Sequence, residues 1–295
     1  MSLLVAVPTG VAAAIAYGAS TAVQHSAAHT GTGEADTKGL VNLLRNPRWL
    51  LSVGGDAVGL TLQVIALATG PVVVIQPLLV LAVPVSLPVG RMLGGPRPRR
   101  TDLLACLGIV GGLAGFFGLV GDPGSGRSLT PWPTTVTIVV MLLVGAAVCW
   151  LVHGRSAPLR AGGYGGVAGA WFGLVGVLLN GVATIWQDHG LQAFGHAQGL
   201  VPLVGLVLVG ALAMTLTQVS FQVGALGASF PANESTAPVV AVLLGALLLH
   251  EHVPISALSV LGYLVALAVV VLGTIRLANP GAGRPGQRAR SSHAS

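Results

Sequence analysis

The chain has 295 residues, 53% hydrophobic and only 7% charged, with a formal net charge of +6. A soluble domain carries roughly 25% charged residues, so a water-soluble fold is excluded and an integral membrane protein is indicated. The basic excess lies in connecting segments and the tail, without interleaved aromatics, which argues for membrane orientation and against a nucleic-acid partner.

Windows of about 20 apolar residues mark nine spans in chain order, at 3–24, 49–69, 71–91, 102–120, 134–153, 163–186, 200–221, 223–249 and 255–275. The predicted fold class is therefore all-α, a polytopic membrane helix bundle of about nine transmembrane helices. The first span has no basic leader and is expected to stay as a spanning helix. The second and third spans meet at Thr69-Gly70-Pro71, and the seventh and eighth near Gly224. Cys106 and Cys149 fall inside apolar spans and read as small buried hydrophobes. No cofactor is expected.

If the spans alternate, 13 of the 14 Lys and Arg residues fall on one side and Arg127 alone on the other. The positive-inside rule makes the first side cytoplasmic, in a cell membrane, with the N-terminus outside and the C-terminus inside. Residues 279–295, rich in Gly, Pro, Arg and Ser, cannot bury a core and are expected to form a disordered cytoplasmic tail.

The chain also repeats itself. Gly10, Gly18, Thr21 and Gln24 recur as Gly173, Gly181, Thr184 and Gln187, both G-x7-G-x2-T-x2-Q. Gln63 is answered by Gln218, and the pair Pro77/Pro84 by Pro231/Pro238. Spans one to four thus map onto six to nine. A shift by an odd number of spans makes the copies two inverted repeats, 1–121 and 163–278, joined by a linker span at 122–162. Such repeats place substrate sites at their interface near the midplane, on helices interrupted at matching positions. The paired prolines predict interruptions in spans three and eight.

Polar residues in the spans share helix faces: Tyr17, Thr21 and Gln24 on the first, Asn180, Thr184 and Gln187 on the sixth, Asp56 and Gln63 on the second, and Thr215, Gln218 and Gln222 on the seventh. Gln76 on the third and Asn233-Glu234-Ser235-Thr236 on the eighth complete the set. Such stripes avoid lipid and are expected to converge on a common interior. Thr21, Thr184 and Thr215 read as interhelical glue. Gln63 and Gln218 fit either glue or a cavity wall. Glu234 is the leading candidate, because a carboxylate in hydrocarbon is expensive without a cavity or partner, and it could exchange a proton against a cationic substrate. Asp56 fits either a site role or pairing with a loop arginine.

Gly165, Gly169 and Gly173 form a small-residue ridge suited to packing within the bundle, with homodimerisation as the alternative. His189, His196, His250 and His252, with Asp188 and Glu251, fall in outer loops without a recognised metal-ligand spacing.

Two stretches resemble the drug/metabolite transporter superfamily. One is Asn46 to Met92, where a helix ending in alanine and leucine is followed at once by a proline-containing helix. The other ends LLGALLLHEHV and is similar to the EamA-type ending in which a glutamate follows an apolar helix, with Glu251 in that place. The NPRW opening and nine-span count look closer to NIPA-type magnesium transporters and related actinobacterial membrane proteins. The superfamily's usual pattern has ten spans, and the corresponding loop of the first copy, GGPRPRR, lacks the glutamate. The resemblance implies a carrier working by alternating access, without specifying the cargo.

The expected function is a secondary transporter of a small polar or cationic metabolite, driven by a proton gradient or by the substrate's own gradient. Substrate contacts are expected at Glu234, Asn233, Gln63, Gln218, Gln76, Tyr17, Asn180 and Asp56, with membrane lipids as the surrounding partner. A divalent-cation (magnesium) carrier and a non-transporting lipid-binding or scaffold protein are the alternatives. An ATP-driven pump is not expected, since no Walker motif is present, and an enzyme is not expected, since HExxH and GxSxG are both absent.

Overall fold

The computed structural model describes residues 3–30, 47–94, 99–121, 123–124, 126–223 and 226–278, and among them every regular element is helical. The elements are α1 (Leu3–Thr30), α2 (Pro47–Thr69), α3 (Val72–Leu78), a 3-10 turn (Leu79–Leu81), α4 (Ala82–Met92) and α5 (Arg100–Val120). They continue with α6 (Pro131–His153), α7 (Ala157–His189), a 3-10 segment (Gly190–Gly195), α8 (Ala197–Val223), α9 (Leu226–Leu248) and α10 (Ala257–Ala278).

Among the described residues eight helical stretches are long and apolar enough to cross a membrane, and α9 adds a shorter apolar stretch at Ala232–Leu248. Each of the nine predicted segments has helix over most of its described residues. The 279–295 tail and the Gly224 reversal lie outside the described residues.

Proline chemistry interrupts the third span. Pro84 lacks an amide to bond the carbonyl of Val80, and its ring crowds that carbonyl; the backbone tightens into the 3-10 turn Leu79–Leu81 there. The matching interruption predicted in the eighth span does not occur, because α9 runs unbroken through Pro231 and Pro238. The physical reason is its partner. A Cβ at Gly165, Gly169 or Gly173 of α7 would collide with the backbone carbonyl of Ser229, Asn233 or Ala237, so three successive turns of α9 lie directly on α7's backbone and are held straight. The glycine ridge is therefore consumed inside the protomer.

Other small residues fix the remaining directions. Gly10 lies against Ile75 and Leu78, and Gly18 against Ala82 and Val85, so α1 runs parallel to the third span. Val73 lies beside Gly245, and Pro77 shares a cavity wall with Pro238, so the third span runs antiparallel to α9. Gly112 meets Ala266 and Gly262 meets Leu119, which sets α5 antiparallel to α10.

The main core gathers Leu67, Val72, Ile75, Leu129, Trp171, Leu174, Leu178 and Leu249 at the meeting of α2, α3, α7 and α9. A smaller cluster of Val80, Val83, Ile109, Leu113 and Val270 ties the interrupted span to α5 and α10. α6 is peripheral. It is pinned where the Trp171 indole donates to the Met141 carbonyl (3.0 Å) and its ring lies over Gly145.

Candidate functional site

The predicted polar residues form separate groups rather than one wet interior. On α1 and α2, the Tyr17 hydroxyl donates to Gln63 Oε1 (2.8 Å), with Asp56 within electrostatic reach of the phenol. On α8 and α9, Asn233 Nδ2 donates to Thr217 Oγ1 (3.0 Å), whose own hydroxyl donates to the Ala213 carbonyl (2.9 Å). Asn233 is buried. The side chain of Gln218 lies outside those described. In a low-dielectric interior each polar group gains most from the nearest partner, and adjacent helices supplied one before a shared cavity could.

Asn180 and Gln187 close a helix end. The last carbonyls of a helix have no intrahelical donor, and α2 ends abruptly at Thr69-Gly70-Pro71. Thr69 Oγ1 reaches the carbonyls of Ile65 (2.8 Å) and Ala66 (3.3 Å), Asn180 Nδ2 donates to the Leu67 carbonyl, and Gln187 Nε2 to that of Ala68 (3.1 Å). A second contact runs from Asn180 Nδ2 to the Gly70 carbonyl at 3.4 Å.

Among the described residues five groups remain unsatisfied around α3, α7 and α9, one of them Arg160 Nε near the start of α7. Gln76 is buried with no partner for its Nε2, and its amide occupies a slot left by Gly176, where no Cβ would fit. The hydroxyls of Ser229 and Ser235 are buried without partners. Glu234, midway along α9 and half-buried, makes no hydrogen bond or ion pair with any described residue. Buried polar groups are normally bonded, so these atoms mark where a water, ion or solute would gain most.

Glu234 lines neither of two apolar cavities between the helices. One, of about 310 Å³, lies between the third span, α5, α9 and α10 and is apolar, with Pro77, Phe116, Pro238 and Tyr263 on its walls. The other, of about 430 Å³, lies between α6, α7 and α9 and is equally apolar. Among the described residues no group of three His, Cys, Asp or Glu side chains could hold a metal, so the loop histidines do not converge.

The residue that sequence reasoning underrated is Glu251. It is only 4% exposed, and its two oxygens accept the backbone amides of Val72 (2.7 Å) and Val73 (2.8 Å), the first residues of α3. Burial pushes its carboxyl above the usual range, while the Val73 and Val72 amides pull it part of the way back. Its segment is anchored by backbone bonds from Arg127 to the Leu249 carbonyl (2.6 Å) and from His252 to that of Pro123 (2.9 Å). The available signal was an acid directly after an apolar helix, in a chain whose third span opens on a proline without a capping side chain.

An uncharacterized protein of Corynebacterium glutamicum is 31% identical over 286 residues, covering 94% of this chain and 95% of its own length. The chain belongs to that protein's family. No protein-family model matches the chain. No solved structure matches it either.

Proposed function

We propose that the chain is a secondary transporter of the drug/metabolite transporter type, carrying a small polar or cationic metabolite by alternating access with proton coupling. The observation that carries this reading is Glu234, an acid in the middle of a membrane helix with no bonded partner among the described residues. An intramembrane carboxylate without a structural partner is a functional group by default. The Gln76 amide on α3 and the Ser235 hydroxyl on α9 are also without bonded partners.

The reading includes two inverted repeats, and packing register supports it. Gly18 meets the carbonyl 64 residues on, at Ala82, and Gly173 meets the carbonyl 64 residues on, at Ala237. That pairs Gly18 with Gly173 at an offset of 155, the same offset that relates Gln63 to Gln218, and shifts the match by two turns from the one the G-x7-G motif suggests. The antiparallel course of the third span and α9 is what oppositely inserted copies require. The 13-to-1 division of basic residues supports a cytoplasmic C-terminus in the cell membrane.

The test is uptake into liposomes of cations and small polar metabolites, with and without a pH gradient. A solute whose uptake is lost in Glu234→Ala, loses its pH dependence in Glu234→Gln and persists in His250→Ala is the expected result. Uptake and pH dependence unchanged in Glu234→Gln would end the proton-coupling reading.

A second reading, a non-transporting lipid binder, is favoured by the apolar cavity of about 310 Å³, whose wall residues Leu243 and Leu264 are exposed on the outer surface. Protection of that wall by bound lipid, with no solute uptake, would select it.

A further inference from the structure

The first turn of α3 has an unusual support. A helix leaves its first amides without intrahelical partners, and a local Ser, Thr, Asp or Asn normally covers them. Here the preceding residue is Pro71, which offers no side-chain cap. Val72 and Val73 instead donate to a carboxylate 179 and 178 residues away, on the segment between α9 and α10.

This support is expensive. Glu251 is buried at 4% exposure, and no charged side chain among the described residues pairs with it: Arg127, His250 and His252 are all exposed. A buried charge without a counter-ion costs more than a neutral local cap would. The fit around it is also tight, since a Cβ on Gly245 would sit 2.9 Å from Glu251 Oε2 and one on Gly126 3.3 Å from its Cγ.

What is held is a short, wholly buried piece. α3 has seven residues, bounded by the Gly70-Pro71 turn before it and the Leu79–Leu81 turn after it. Its central polar side chain, Gln76, leaves an amide nitrogen unsatisfied where it meets α7, so its present seat does not use all its bonding capacity. We propose that Glu251 is a releasable latch: it seats α3 against α7 and α9 from the other half of the chain, and α3 moves as a rigid piece when those two hydrogen bonds break. The proposal stands apart from the transport reading, because the position of α3 can be measured with no solute present.

The experiment uses the full chain in detergent or nanodiscs, with Cys106→Ser and Cys149→Ser so that Gln76→Cys carries the only thiol. With Glu251 in place, Cys at this site reacts slowly with a water-soluble maleimide. Glu251→Ala is expected to speed labelling about tenfold or more, in line with losing charge-assisted hydrogen bonds, and Glu251→Gln, which keeps one acceptor oxygen, to give an intermediate rate. A Leu174→Cys control, fully buried on α7, should remain unlabelled throughout. In parallel, hydrogen exchange should quicken at Val72 and Val73 in Glu251→Ala. Unchanged labelling at position 76 in both Glu251 variants overturns the latch. If Glu251→Ala exposes Leu174→Cys as well, the fold is lost and Glu251→Gln decides: labelling confined to position 76 upholds the proposal, and none refutes it.

Discussion

Gly173→Ala tests the α7–α9 contact directly. A Cβ at this position would lie 2.5 Å from the Ala237 carbonyl oxygen, 2.9 Å from the Ala241 amide nitrogen and 3.0 Å from Val240 Cβ. Ordinary carbon–oxygen contacts of this kind sit at about 3.3–3.6 Å, so the helices must part by roughly 0.8 Å. The obstructing atoms include backbone and cannot rotate aside. Overpacking of this sort costs about 1–3 kcal/mol, here near the upper end, and alanine's helix propensity returns about 1 kcal/mol, leaving a net loss of about 2. Gly166→Ala, on the same helix, is the control: its Cβ would meet only Thr236 Oγ1, at 3.8 Å. It should be neutral or more stable by up to about 1 kcal/mol. Denaturation of both variants in mixed micelles should separate them by about 2–3 kcal/mol. If Gly173→Ala proves as stable as Gly166→Ala, the direct backbone contact is wrong.

Other substitutions follow from the same geometry. Asn180→Ala strips the donor from the Leu67 carbonyl and should cost about 1–3 kcal/mol in the same denaturation, with faster hydrogen exchange confined to the end of α2. Glu234→Leu should leave the protein at least as stable as the native chain, because no described partner is lost; a large loss of stability would expose a structural role for Glu234. For Glu251, burial raises the carboxyl despite its two amide bonds, so the folded protein holds that proton more tightly than the unfolded chain. Its stabilising contribution is complete below the unfolded glutamate range, about 4.3, and is lost as pH rises through the folded value. The stability of native protein minus that of Glu251→Gln should therefore be greatest near about pH 4 and shrink toward neutrality; a difference that grows with pH would contradict it.

Span positions were legible because hydrocarbon thickness sets a length that apolar runs must meet. The ridge of Gly165, Gly169 and Gly173 was legible for a similar reason: glycines four apart on a membrane helix leave a groove only another backbone can fill. Helix rotation was not. Tyr17, Gln63, Asn180 and Asn233 each lie on a polar face, yet which neighbour a face meets depends on packing all the helices together, and each found an adjacent partner instead of a common cavity. The asymmetry between the third span and α9 was equally hidden: both carry paired prolines, but α7 meets the backbone of α9 at three successive turns while α1 meets that of the third span at Ala82. Glu251 was the hardest to place, its partners being backbone amides that have no sequence signature.

The length of α7 also bears on how the molecule would sit in a bilayer. Its 33 residues extend about 50 Å at 1.5 Å per residue, well beyond a hydrocarbon layer of about 30 Å. Arg160 near one end and Asp188 near the other lie about 42 Å apart along the axis, close to the full thickness between opposing headgroup layers. In a bilayer α7 would act as a depth gauge, its two ends reaching toward opposite surfaces, and α2, fastened to it through Asn180 and Gln187, would be kept at the same height.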